Sequence, residues 1–369
     1  MNQPGATDSL TFVYGPPRYI EVFMLRLLAV ALLFPSCWGA GREAIIFDTD
    51  SGLFGDDGAA LVMLLRSPNQ VAVQAVTLVP GNVWTPQGAE YMFHILDLLK
   101  RPQVPVLQGA STPLMNTAAM AKEGERRWGA LSYMGAFAQD PQAVAPATGA
   151  KLTARKARHD AVAFMISEIE RRPGEITILA LGPMTNIALA LRMRPDIETK
   201  IKRIVFMGGN ISVSGNASAA AEFNFWFDPE AARIVLRSRI PQKIMFGLDI
   251  CNLAPIHKAE FDQIAAAHTP IAGLYREDLG NRYPAFYKNS NGTAYMWDSL
   301  AAAYLIDPEF VTRFETRYED VRTDWGQFYG STAPLDRRAV PDATPVTVMF
   351  GLDFRRVFAL YKDKLTKVE

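Results

Sequence analysis

The chain has 369 residues, 49% of them hydrophobic and 21% charged, enough apolar material for a large buried core. Lysine plus arginine number 38, as do aspartate plus glutamate, so the formal net charge is zero at pH 7. That balance argues against a nucleic-acid or membrane-surface partner.

Residues 1–23 carry no fold signal. Met24-Leu25-Arg26 then opens a short apolar run, Leu27 to Phe34, followed by small residues up to Ala40. A basic start, a short apolar stretch and a small-residue end describe a secretory signal peptide. The expectation is therefore an extension and signal over 1–40, a start at either Met1 or Met24, and an exported, secreted or periplasmic chain over 41–369. Cys37 falls in or beside the removed segment. Cys251 is then the sole cysteine of the mature chain, which allows no internal disulfide.

The first element is Ile45-Ile46-Phe47, an apolar run that ends in Asp48-Thr49-Asp50-Ser51-Gly52-Leu53-Phe54-Gly55-Asp56-Asp57. It reads as a buried parallel strand whose C-terminal end carries four aspartates. Open α/β sheets place their ligand crevice at that end. Four carboxylates so close raise one another's pKa values. A hard cation with all-oxygen ligands, calcium or magnesium, relieves that repulsion. Helix capping by Asp48 or by Asp56-Asp57 accounts for one or two of the four, not all.

Further along, Ala59–Leu65 reads as a helix, Val71–Val79 as a strand, Ala89–Leu99 as a helix and Val104–Leu107 as a short strand. Residues 110–158 lack a pattern and suggest a functional loop. Asp160–Arg171 is a helix and Ile176–Leu181 a strand, followed by the turn Gly182-Pro183-Met184-Thr185-Asn186 and a helix to Met193. Arg203–Met207 and Lys243–Phe246 are strands, and Asp228-Pro229-Glu230 is a helix start. Residues 258–306 are mostly helical, with strands expected over 311–322 and 345–361. Strand–helix alternation without a linker predicts one open, doubly wound, mostly parallel α/β sheet.

Several of these segments together resemble the nucleoside hydrolase family, the inosine-uridine preferring group. The opening D-x-D-x-G and its D-D pair stand as Asp48 to Asp57, with a longer interval than the commonest form. Gly81-Asn82, Leu181-Gly182-Pro183-Met184-Thr185-Asn186 and Met207-Gly208-Gly209 follow in order. So do Asn216, Ala221-Glu222-Phe223-Asn224, Asp228-Pro229-Glu230-Ala231 and Trp297-Asp298. The resemblance runs from about Glu43 to Pro308 and continues more weakly to the end.

It implies calcium-dependent hydrolysis of the N-glycosidic bond of ribonucleosides, through an oxocarbenium-like transition state. By resemblance, Asp50, Asp57, Asp298 and the Leu181 carbonyl ligate Ca2+, and Asp50 is also the general base. Asp56, Asn82, Asn216, Glu222 and Asn224 bind the sugar hydroxyls, Met207 lines the pocket, and Asp48 orients the loop. A homodimer or homotetramer is what the family suggests, with a small ribonucleoside as the only other partner.

Two departures concern the base. Many members carry a histidine before the last aspartate and another in the loop after the third strand; here those positions hold Trp297 and Trp128. An indole cannot protonate a leaving base, but it can stack on one, and a purine offers the larger face. The pair resembles the purine-specific branch, so inosine, adenosine and guanosine are expected over uridine and cytidine. Plain packing remains the alternative for both tryptophans, and for Met207. Asn186 and Asn210 read as turn residues. His94, His159, His257 and His268 match no site position. A haloacid dehalogenase-type phosphotransferase also begins D-x-D, but Gly52 stands where it needs Thr or Val. A secreted nucleoside- or ribose-binding protein without catalysis is the other alternative.

Overall fold

The computed structural model describes residues 41–138, 140–146, 151–282 and 293–368. The expected extension and signal over 1–40, with Cys37, lie outside the described residues.

Twelve strands are described: β1 (Glu43–Thr49), β2 (Val71–Leu78), β3 (Val106–Gln108), β4 (Ile176–Ala180), β5 (Arg203–Met207), β6 (Lys243–Phe246), β7 (Pro255–His257), β8 (Thr293–Tyr295), β9 (Val311–Arg317), β10 (Glu319–Val321), β11 (Thr332–Pro334) and β12 (Val346–Leu352). Eight of them form one sheet in the order β3-β2-β1-β4-β5-β6-β12-β9. Every pairing in it is parallel except β12 with the edge strand β9. Two antiparallel pairs, β7–β8 and β10–β11, lie outside it.

The helices in chain order are α1 (Gly55–Leu65), α2 (Thr85–Leu98), α3 (Ala118–Trp128), α4 (Ala161–Arg171), α5 (Thr185–Met193), α6 (Phe223–Phe227), α7 (Pro229–Leu236), α8 (Leu248–Cys251), α9 (Lys258–Ala265), α10 (Pro270–Arg282), α11 (Trp297–Ile306) and α12 (Phe354–Thr366). They cover both faces of the sheet, which is why its strands are apolar throughout. Alternate strand residues feed two cores. Ile45, Phe47, Leu179, Val205 and Phe246 pack with α1, α2, α11 and α12, while Ile46, Ile178, Ile204 and Met245 pack with α4, α5 and α7. A fully buried side chain such as Phe47 contributes about 1.5–3 kcal/mol.

From β1 the chain winds outward through β2 to β3, then returns to place β4 on the other side of β1. The ends of β1 and β4 therefore flank a topological switch point, where such sheets hold their ligands.

Three expectations need correction. Residues 110–158 contain α3, with Thr117 accepting from the Met120 N–H at 3.1 Å and Gly129 closing it at φ +66°. Only Ala121 and Gly124 of that helix are buried, so it has no apolar period to read. Residues 354–361 are helical, because Asp353 caps α12 through the Arg356 N–H at 3.1 Å. Finally, Asp56 and Asp57 lie in the first turn of α1, not in a loop before it. Among the described residues no helix is long and apolar enough to cross a membrane.

Candidate active site

β1 delivers Asp48 and Asp50 to the switch point in different ways. Asp48 lies within the strand and is fully buried. Its Oδ1 accepts from Thr77 Oγ1 at 2.6 Å and from Asn186 Nδ2 at 2.8 Å, and its Oδ2 has no partner among the described residues. Burial pushes this carboxyl up to about 7. Asn186 also donates to the Leu78 carbonyl at 3.0 Å and accepts from the Ala110 N–H at 2.8 Å. It is a hub that joins the ends of β1, β2 and β3, a role invisible when it is read as a turn residue.

Asp50 sits one residue past β1, between two glycines. A Cβ on Gly81 would come within 2.0 Å of Asp50 Oδ2, and one on Gly182 within 2.9 Å of Asp50 Cβ. Both positions stay bare so that the carboxylate can lie between the turns after β2 and β4. The Asn82 backbone N–H donates to Asp50 Oδ2 at 2.8 Å. Its side-chain amide reaches Asp50 Oδ1 at 3.3 Å and Asp57 Oδ2 at 3.4 Å. Asn82 therefore links the two acids.

Asp57 is buried and accepts a short hydrogen bond from Thr49 Oγ1. Asp56 is half-buried and faces the start of α11, its Oδ2 3.5 Å from the Asp298 backbone N–H. One carboxylate oxygen from each of Asp56, Asp57 and Asp298 lies within 4.8 Å of the others. The sequence expectation grouped Asp50 with Asp57 and Asp298; the compact trio contains Asp56, and Asp50 joins it through Asn82. The Leu181 carbonyl accepts from Asn224 Nδ2 at 2.8 Å.

This arrangement concentrates negative charge. Burial, then the Asp57 and Asp56 charges, hold the Asp50 carboxyl well above the usual range. Asp298 is raised likewise by burial, then by Asp56, Asp57 and Asp50. Donors of this kind, all hard oxygens with no thiolate or imidazole among the trio, fit a hard divalent cation.

The interval before Asp56-Asp57 is longer than usual, and the structure explains how it is held. Phe54 is fully buried, edge-on to Tyr275 at 6.2 Å. Gly55, at φ +57°, donates its N–H to Asp278 Oδ2 at 2.6 Å. Neither anchor was foreseen from sequence.

The opposite wall comes from β5, β4 and α6. Glu222 is buried at the N-terminus of α6, where it accepts from the backbone N–H groups of Asn224 and Gly209 at 2.8 Å and of Phe225 at 3.1 Å. Burial raises its pKa against those hydrogen bonds. Asn224 donates to the carbonyls of Leu181 and Met207, at 2.8 and 3.1 Å, and Met207 is buried beneath it. Asn216 is exposed and accepts from the Phe223 N–H at 2.9 Å. Asn210 holds the same loop by donating to the carbonyls of Val213 and Ala220 and accepting from the Glu222 N–H, in keeping with a backbone role.

The two tryptophans are placed differently. Trp297 opens α11 beside Asp298, half-buried, with its ring 5.4 Å from Tyr295. Its Nε1 is buried without a partner among the described residues. Trp128 ends α3 and packs edge-on against Trp325 at 5.3 Å, and Trp226 and Tyr329 line the same small cavity. Trp325 carried no signal in the sequence.

Comparison with known proteins agrees with this geometry. The family described as inosine-uridine preferring nucleoside hydrolase matches residues 45–359. A pyrimidine-specific ribonucleoside hydrolase, RihA, of Salmonella gallinarum (strain 287/91 / NCTC 13346) is 35% identical over 324 residues, covering 87% of this chain and 97% of its own. Among solved structures, the plant nucleoside hydrolase PpNRh1 superposes with a TM-score of 0.73 at 27% identity, over 89% of this chain and all of that one. The purine-preferring ribonucleoside hydrolase of Gardnerella vaginalis gives 0.68 at 26%, over 88% and 98%. A central, mostly parallel sheet, an aspartate-lined switch point and a match over most of its length identify this chain as a member of the inosine-uridine preferring nucleoside hydrolase family.

Proposed function

We propose that this protein hydrolyses the N-ribosidic bond of purine ribonucleosides with the help of a calcium ion. The observation that carries the ion is the buried set Asp50, Asp57 and Asp298, with Asp56 beside it, whose charges raise one another and need a cation to compensate. Asp57, Asp298, Asp50 and the Leu181 carbonyl would hold it. A bound divalent cation supplies Lewis acidity toward a water and toward the sugar hydroxyls.

The chain's own residues do the rest. Asp50, fixed by Asn82 and by the bare flanks of Gly81 and Gly182, takes the proton of the attacking water. Asp56 and Asn82 accept and donate at the sugar hydroxyls nearest the aspartates. Glu222 is oriented by three backbone N–H groups and still has lone pairs for a hydroxyl. Asn224 spends its amide hydrogens on two carbonyls, which turns its own oxygen the other way as an acceptor. Asn216 adds a polar group at the rim. Such a set favours ribose over deoxyribose, which leaves buried polar groups unpaired.

The purine preference rests on Trp297, an indole in place of a general acid and adjacent to Asp298. A pyrimidine or broad preference is the second reading, favoured by the 35% identity to RihA. Kinetics on inosine and uridine for wild type and Trp297→His separate them. The purine reading predicts inosine turnover well above uridine in wild type, and a gain on uridine in the variant. Uridine turnover equal to or above that of inosine in wild type contradicts it. Export through the segment 24–40 and assembly as a homodimer or homotetramer belong to the same proposal.

A further inference from the structure

Helix α6 and the 3-10 turn Met134–Phe137 face each other through two aromatic pairs. Phe227 packs on Phe137 at 5.3 Å and Phe223 on Tyr133 at 4.7 Å. The residues are four apart on each element, so the pairs stack as two rungs. The inner rung is core: Phe227 is fully buried and Phe137 partly so. The outer rung is different. Phe223 is buried, but the Tyr133 side chain remains 41% exposed.

Three features place that exposed ring at the active site. Phe223 lies between Glu222 and Asn224, and its N–H is held by Asn216, so the residue under Tyr133 is the one that joins the three polar groups of the sugar wall. The Tyr133 loop is tied to the same wall by the Leu131 N–H, which donates to the Ala217 carbonyl at 2.7 Å. Tyr133 also has φ +38° and ψ +54°, a left-handed conformation that bulky residues rarely adopt. Glycine would fit that backbone without strain. A tyrosine there costs stability, and its half-exposed ring recovers little by burial, so the fold alone gives no reason for it.

We infer that Tyr133 is a substrate-contacting residue, whose ring forms an aromatic platform for the nucleobase at the mouth of the site, opposite the aspartates. The inference rests on the nucleoside-hydrolase reading and extends it to a second base-binding wall, independent of Trp128 and Trp297. Aromatic platforms bind bases through their π faces, so the ring and not the hydroxyl is what counts.

The test is steady-state kinetics of ribose release from inosine for wild type, Tyr133→Ala, Tyr133→Phe and Tyr133→Gly, with thermal midpoints of all four. Ala and Gly are expected to raise KM about tenfold with a smaller change in kcat, and Phe to stay within about twofold of wild type. The midpoint of Gly should equal or exceed that of wild type. An unchanged KM in Ala and Gly overturns the inference, as does a Phe variant as impaired as Ala. A Gly variant that loses both KM and thermal midpoint also overturns it, because that is what a purely structural ring would do. Absence of ribose release by wild type would remove the underlying reading and the inference with it.

Discussion

Asn186 Nδ2 donates to Asp48 Oδ1 at 2.8 Å, joining the first turn of α5 to β1 across the switch point. The same side chain serves Leu78 and Ala110, so three strand ends depend on one amide. Asn186→Ala leaves buried polar groups without partners. The expected loss is about 1–3 kcal/mol of stability. Urea unfolding should show a lower midpoint with an unchanged slope. A midpoint equal to wild type would show that the hub is dispensable.

Phe54 plugs the core beneath the lengthened loop before Asp56-Asp57, and Gly58 is bare where that ring passes, a Cβ there meeting it at 3.0 Å. Phe54→Ala is expected to cost about 3–5 kcal/mol. It should also weaken calcium binding, since the plug anchors the first turn of α1. Calorimetry on a variant that remains folded checks the second effect; unchanged calcium affinity would mean that Asp278 alone holds the loop.

Asp50 and Asp298 are held well above the ordinary carboxylate range, by burial first and by neighbouring aspartates next. A cation binds their ionised forms, so protons compete with it. Affinity should therefore fall as pH falls, by about tenfold per pH unit for each proton displaced. Calcium titrations at several pH values and in two buffers of different ionisation enthalpy measure both slope and protons released. A pH-independent affinity would contradict the raised carboxyls.

Asp50→Asn keeps the shape of the site but cannot accept a proton from water. Its kcat should drop by about 10²–10⁴ while inosine still binds. Equilibrium binding measured beside turnover distinguishes this from loss of the site. Retained turnover would remove Asp50 from the role of base.

Lys243 is almost wholly buried at the start of β6, where its Nζ donates to the carbonyls of Leu236 and Ser238. Burial pushes the amine down to about 7 from its ordinary 10.5. A depressed folded pKa means that the stabilisation is complete above about 10.5 and is lost as pH falls toward about 7. Lys243→Met should lack that slope. Parallel curves for the two proteins between pH 7 and 10 would contradict it.

The sheet was readable because strands buried on both faces leave unbroken apolar runs, as in Ile45-Ile46-Phe47 and Ile204-Val205-Phe206. The acidic end of β1 was readable because four aspartates have no ordinary structural reason to cluster. Other features depend on contacts that a sequence does not display. Gly55 and Asp278 are 223 positions apart, and Asp48 and Asn186 are 138 apart. Helix α3 buries almost nothing, so it has no period. Asp56 was assigned to the sugar because the motif places it there, whereas the fold also brings it into the carboxylate trio with Asp57 and Asp298. The pairing of Trp128 with Trp325 joins two loops whose composition gives no hint of each other.

The most direct measurement is ribose release from inosine and uridine side by side, by the purified protein, with calcium and with a chelator. The account predicts rapid release from inosine, little from uridine, and loss of activity on chelation that calcium restores. Release from neither nucleoside with calcium present would contradict it.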